Sequence, residues 1–146
     1  MTMADSPLVG AWIIDSDVND PGNLPTENIF HADGTFIQVG NSGPQANSPG
    51  NAVGAWEPTG PNTAAAILVV YQQDDKGAVS KATVRATVQV AADGQSLTAD
   101  YTIEFTSPDG TPSGQLGPGK GSGTRIAVEP MGTPVAPLGP PPSATP

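Results

Sequence analysis

Apolar and polar residues alternate along most of this chain with a period of two, the spacing of a strand that buries one face. Residues 79–90 show it best: Ser80, Ala82, Val84, Ala86, Val88 and Val90 interleave with Lys81, Thr83, Arg85, Thr87 and Gln89. After Ala91-Ala92-Asp93-Gly94, residues 96–106 repeat the scheme, with Leu97, Ala99, Tyr101, Ile103 and Phe105 on one side and Asp100 and Glu104 on the other. These two runs predict a hairpin. A slip by one residue would set apolar against polar, so only pairings whose residue numbers sum to an odd value are acceptable. Among those, Arg85 opposite Asp100 with Lys81 opposite Glu104 also matches charge, and that register is the expected one.

The same pattern predicts further strands at residues 8–15, 27–31, 35–39, 53–57, 63–73 and 123–129, and no segment sustains helical spacing. About eight strands joined in sequence order make an all-β chain, expected as a single antiparallel up-and-down β-barrel. Connections in such a meander alternate between two ends. Asp33-Gly34, 58–62 and 91–95 are short and share one end with both termini; 16–26, 40–52 and 107–122 are long and share the other with the 74–77 turn. The expectation is a closed bottom and a loop-rimmed mouth. Residues 1–7 are then an N-terminal arm, 8–129 the barrel, and 130–146 an extended tail whose seven prolines suit neither a ladder nor a core.

Composition narrows the partners. A chain of 146 residues fits one domain. Five Lys and Arg against fourteen Asp and Glu give a net charge of −9, which weighs against nucleic acid. With no cysteine there is no disulfide, thiol nucleophile or thiolate metal site. No apolar run approaches the roughly 20 residues of a membrane span. The first residues lack a basic and then apolar leader, so the location expected is cytoplasmic, or secreted or periplasmic if a signal has been trimmed.

The pocket argument rests on aromatics. Tyr71 and Tyr101 sit in apolar runs, where a phenol must find a partner or face a ligand. Ala65, Ala66, Ala82, Ala86 and Ala99 are too small to fill a barrel if they point inward. The expected ligand-binding residues are Tyr71, Tyr101, Trp56, Phe30 and Phe36; the competing reading is a core that these aromatics simply fill. Tyr71, Tyr101 and Glu57 are the catalytic candidates, with Arg85 a further charge of interest if it faces inward. His31 is the single histidine, but the turn beside it belongs to the closed end. Gly114-Gln-Leu-Gly-Pro-Gly119-Lys120-Gly121 approaches a phosphate loop yet lacks the Ser or Thr after Lys and the strand-loop-helix setting, so it is expected to be a mouth loop. Asp15-Ser-Asp17-Val-Asn19-Asp20 resembles a calcium loop but has Asp where the Gly is needed and no closing Glu, and it is expected to be an acidic solvated loop. No spacing supports a Ser-His-Asp triad. No metal ligand and no cofactor is expected.

Gly10-Ala11-Trp12 on the first strand and Arg125, within Gly123-Thr124-Arg125-Ile126 on the last, resemble the calycin pattern of lipocalins and fatty-acid-binding proteins. There a G-x-W on the first strand is covered by an arginine from the end of the barrel. The resemblance makes Trp12 and Arg125 the structural closure, with the guanidinium over the indole face. The layout is also similar to small bacterial lipocalin-like proteins, which carry an Asp-Gly turn after the second strand, here Ala32-Asp33-Gly34-Thr35, and a second G-x-W, here Gly54-Ala55-Trp56. The proline tail cannot supply the C-terminal helix of lipocalins, and their disulfide is missing.

Such a likeness implies a binding or carrier barrel for a small hydrophobic or amphipathic molecule in a central cavity. Two alternatives stand beside it. One is a cofactor-free cyclase or isomerase, allene-oxide-cyclase-like, for which an inward carboxylate beside a tyrosine would speak. The other is a self-assembling structural barrel, a homo-oligomer that uses the C-terminal tail as an arm.

Overall fold

Eight antiparallel strands close edge to edge, in sequence order, into an up-and-down barrel in the computed structural model of the chain. Residues 2–16, 24–40, 51–73, 76–133, 135–137 and 139 are described. The strands are β1 (Gly10–Ser16), β2 (Thr26–Phe30), β3 (Thr35–Val39), β4 (Ala52–Gly60), β5 (Thr63–Gln73), β6 (Val79–Val90), β7 (Ser96–Thr106) and β8 (Pro112–Arg125). Each pairs with the next, and β8 returns to β1 through Trp12 opposite Arg125. Closure leaves no edge to protect, and the alternation read from the sequence sorts into an apolar inside and a mixed outside.

The β6–β7 register departs from the charge-matched one by two residues. Arg85 stands opposite Thr102, Thr83 opposite Glu104 and Thr87 opposite Asp100. Parity is kept, so the apolar faces still coincide, and the turn decides the rest. Ala91 N–H donates to Ser96 O at 2.8 Å, Gly94 N–H to Ala91 O at 2.8 Å, and Gly94 takes φ +72°. The charge-matched register would force Ala92-Asp93 into a two-residue loop needing positive φ at Ala92, which alanine resists. Exposed charge pairs are worth only about 0–1 kcal/mol and cannot override that. They form diagonally instead, as Arg85–Glu104 at 3.9 Å, while Asp100 pairs with Lys120 on β8.

The second correction concerns residues 107–122, expected as a long mouth loop. They form a tight turn and then most of β8. Ser107 N–H donates to Thr111 O at 2.9 Å, Gly110 N–H to Ser107 O at 2.8 Å, and Asp109 accepts from Thr111 N–H at 2.9 Å. The same build closes the β2–β3 turn, where His31 N–H donates to Thr35 O and Asp33 Oδ1 accepts from both the amide and the hydroxyl of Thr35. An Asp-Gly-Thr sequence places Gly at the positive φ and lets Asp tie the turn to the next strand. β8 thus starts at Pro112, and Gly114 to Gly121 lies in the sheet as part of a strand.

At the closed end the N-terminal arm packs beneath the barrel. A 3-10 turn, Met3–Asp5, brings Met3 against Gly34, and Leu8 is buried completely beside Trp12. Trp12 Nε1 donates to Leu8 O at 2.9 Å. The Arg125 guanidinium lies 4.3 Å from the Trp12 ring centroid and donates to Gly94 O, Val9 O and Pro7 O, so one side chain joins the last strand, a turn and the arm. From Ala127 onward the described tail residues are exposed and belong to no strand.

Candidate functional site

A cavity of about 380 Å³ occupies the barrel interior, near the lower end of the ~300–1,000 Å³ range of ligand sites. It exists because inward positions on one half of the barrel are short. Across the strands, Trp56 stands opposite Ala66, Ala66 opposite Ala86, Ala86 opposite Tyr101, and Tyr101 opposite Gly119. The neighbouring row runs Val88, Ala99, Gly121. Glycines 119, 121 and 123 therefore present a bare inner face on β8, and Tyr101 leans over it: a Cβ on Gly119 would lie 2.4 Å from Tyr101 Cζ. Side chains this small cannot reach the opposite wall, and space remains.

That opposite wall is aromatic. Phe30 and Phe36 stack at 4.4 Å between centroids, 5° from parallel, and Phe30 meets Trp56 edge-on at 6.1 Å. Trp56 Nε1 donates to His31 O at 2.9 Å, which fixes the indole. Further lining comes from Ile14, Leu68, Val84, Leu97, Ile103, Phe105 and Leu116, with Ser16, Asn28, Gln38 and Gln72 supplying polar groups. Among the described residues no Asp, Glu, Lys, Arg or His lines this cavity.

Of the expected ligand-binding residues, Phe30, Phe36 and Tyr101 line the cavity, and Trp56 braces Phe30 beside it. Tyr71 does not belong there. Its neighbour Val70 takes the inward position, so Tyr71 points outward and is 70 % exposed. Ala66, Ala86 and Ala99 line the cavity and Ala82 is buried on the same face, whereas Ala65 faces out. Glu57 and Arg85 also face out. With Ala55, Ala65, Ile67, Thr87 and Asp100 they line a shallow external groove of about 810 Å³ along β4 to β7. It is larger than the interior cavity, but it is open to solvent and edged by exposed charges.

Sequence reasoning missed the glycine wall of β8. Its signal was present, because Gly117, Gly119, Gly121 and Gly123 recur every second residue, the strand period, among prolines and serines that suggest a loop. Asn28 and Gln38 were missed as well, since polar residues at inward positions break the alternation.

His31 sits at the turn near the closed end, away from the cavity wall. The hydroxyl of Thr35, and then its amide, hold the Asp33 carboxyl below its ordinary range; the amide and hydroxyl of Thr111 do the same for Asp109, and Thr2 for Asp5. All three carboxylates serve turns. The calcium-like run 15–20 lies mostly outside the described residues, and among those described there is no cluster of three or more groups able to hold a metal. No helix of the described residues is long and apolar enough to cross a membrane. Comparison of the chain with family models, with curated proteins and with solved structures finds no match.

Proposed function

We propose that the protein is a binding or carrier barrel for a small hydrophobic or amphipathic molecule held in the interior cavity. The observation that carries this reading is a largely apolar space inside the barrel whose described wall has a few amides and hydroxyls and no charge. Calycin-like barrels of this strand count, to which Trp12 and Arg125 bear a likeness, use the same space for ligands. A cyclase or isomerase would draw on inward acid–base groups. Glu57, the carboxylate considered for that role, points into solvent, and Tyr101 is the one ionisable side chain on the described wall. The balance falls on carriage.

The test is uptake of N-phenyl-1-naphthylamine, an apolar dye that brightens when it leaves water, alongside native mass spectrometry of freshly purified protein. Saturable one-to-one uptake, or a stoichiometric apolar compound released on denaturation, is the expected result. Failure of both would sink the carrier reading.

A second reading, self-assembly, is favoured by one feature of the exterior. Ala11, Ile29, Ile37, Val53 and Val69 pair directly across β1 to β5 as a continuous outward row, and Val53 is 66 % exposed. An apolar strip of this kind marks a contact surface. A chain of net charge −9 repels its copies least where it carries no charge, so a second copy is the occupant this strip suits. Light scattering of Val53→Glu against the unmodified protein decides it: an assembly that falls to monomer supports the reading, and a monomer in both ends it.

A further inference from the structure

Asn28 on β2 is committed on one side and open on the other. It is 2 % exposed, lines the cavity, and stands opposite Trp12 on β1 and Gln38 on β3. Its Nδ2 donates to Thr26 Oγ1 at 2.8 Å and to Thr26 O at 3.1 Å. Two acceptors gathered around one amide atom identify it as the nitrogen, so Oδ1 is turned away from Thr26. That oxygen accepts no hydrogen bond from a described group. Asn28 lines the cavity, and an oxygen turned away from Thr26 at this inward position is placed at the cavity wall.

From this geometry we infer that Asn28 Oδ1 is the recognition point of the cavity and that the occupant is a neutral apolar molecule with one hydrogen-bond donor, such as a small alcohol or phenol. The inference rests on the carrier reading above. A carboxylate only accepts hydrogen bonds, and Asn28 Nδ2 already donates to two acceptors on Thr26. No described cation lines the wall to offset its charge, and burying an unpaired carboxylate is strongly unfavourable. A hydroxyl bonded to Oδ1 satisfies both partners. Asn28 lies at mid-depth, between the Ile14–Thr26 pair and the Phe30–Phe36 stack. A donor there leaves the stack and the alanine wall for the apolar part.

Competition against N-phenyl-1-naphthylamine at pH 7 tests this with decan-1-ol, decyl methyl ether and decanoate, which share an alkyl chain. The ether leaves water more readily than the alcohol, so a cavity without a recognising acceptor would prefer the ether. The expected order is decanol first, about tenfold ahead of the ether, as one buried hydrogen bond predicts, and decanoate last. In Asn28→Leu, of similar shape, the alcohol should lose its advantage over the ether. Equal or better binding of the ether, or decanoate in first place, overturns the inference, and the ranking in the unmodified protein stands whether or not the variant folds. No dye uptake by the unmodified protein would instead sink the carrier reading itself.

Discussion

Removing the Arg125 side chain should loosen the closed end while leaving the ligand site alone. In Arg125→Ala three donors disappear at once: Nε to Gly94 O at 2.7 Å, Nη1 to Val9 O at 2.9 Å, and Nη2 to Pro7 O. Charge-assisted bonds of this kind are worth about 1.5–3 kcal/mol each when sealed from water. Arg125 is only half-buried, so water replaces part of what is lost, and roughly 1 kcal/mol per bond is the fairer figure. Loss of the cation over the Trp12 ring at 4.3 Å adds about 0.5–1 kcal/mol. The expected destabilisation is therefore about 3–4 kcal/mol, or a fall of about 10 °C in Tm for a domain of this size. Urea unfolding followed by far-ultraviolet circular dichroism measures it, with Arg125→Lys as the intermediate case, since one ammonium cannot reach all three carbonyls. Affinity for N-phenyl-1-naphthylamine, measured where both proteins remain folded, should stay within twofold. A loss below about 1 kcal/mol would refute the closure argument, and so would an affinity that collapses with a small loss of stability.

Filling the space should separate binding from stability: Ala86→Leu and Ala99→Leu are expected to cut dye affinity at least tenfold while the urea midpoint holds or rises, because the added methyl groups enter a cavity. Gly54→Ala should abolish cooperative unfolding, since its Cβ would sit 1.9 Å from Ile67 O, backbone that cannot swing aside. Gly94→Ala, whose Cβ meets nothing within 4 Å, should cost only about 1 kcal/mol for its φ of +72°. Asp5, Asp33 and Asp109 have folded pKa values below the ordinary 3.8, so the stability they contribute is complete above that value and is lost as pH falls through their lowered values. Asp33→Asn and Asp109→Asn together should flatten the acid limb of a Tm–pH curve below pH 4, and an unchanged limb would show that these turns do not titrate with folding.

Much of the barrel was legible in the chain because its causes are local. Alternation in residues 79–90 and 96–106 assigned the inward face of both strands correctly, and Asp33-Gly34 marked a turn whose geometry requires that sequence. Phe30, Phe36 and Tyr101 were legible as wall residues for the same reason. Tyr71 was not, because residues 67–71 are apolar on both faces, and a continuous run does not say which side is in. β8 failed differently. Its glycines have no side chain with which to declare a face, and only their contacts with Leu97, Ile14 and Tyr101 reveal that the strand is packed.

By itself the sequence determined a barrel of about eight strands, their antiparallel order and the parity of the β6–β7 pairing, since these follow from period-two burial and turn residues a few positions apart. The tertiary structure alone decided the register of β6 on β7, the place of β8 in the wall, and the hollow itself. A register is settled by the turn that both strands share, and a void is a property of opposite walls. Ala66, Ala86, Ala99 and Gly121 become a cavity only when the closed barrel sets Phe30 and Phe36 across from them, with Asn28 in the same wall.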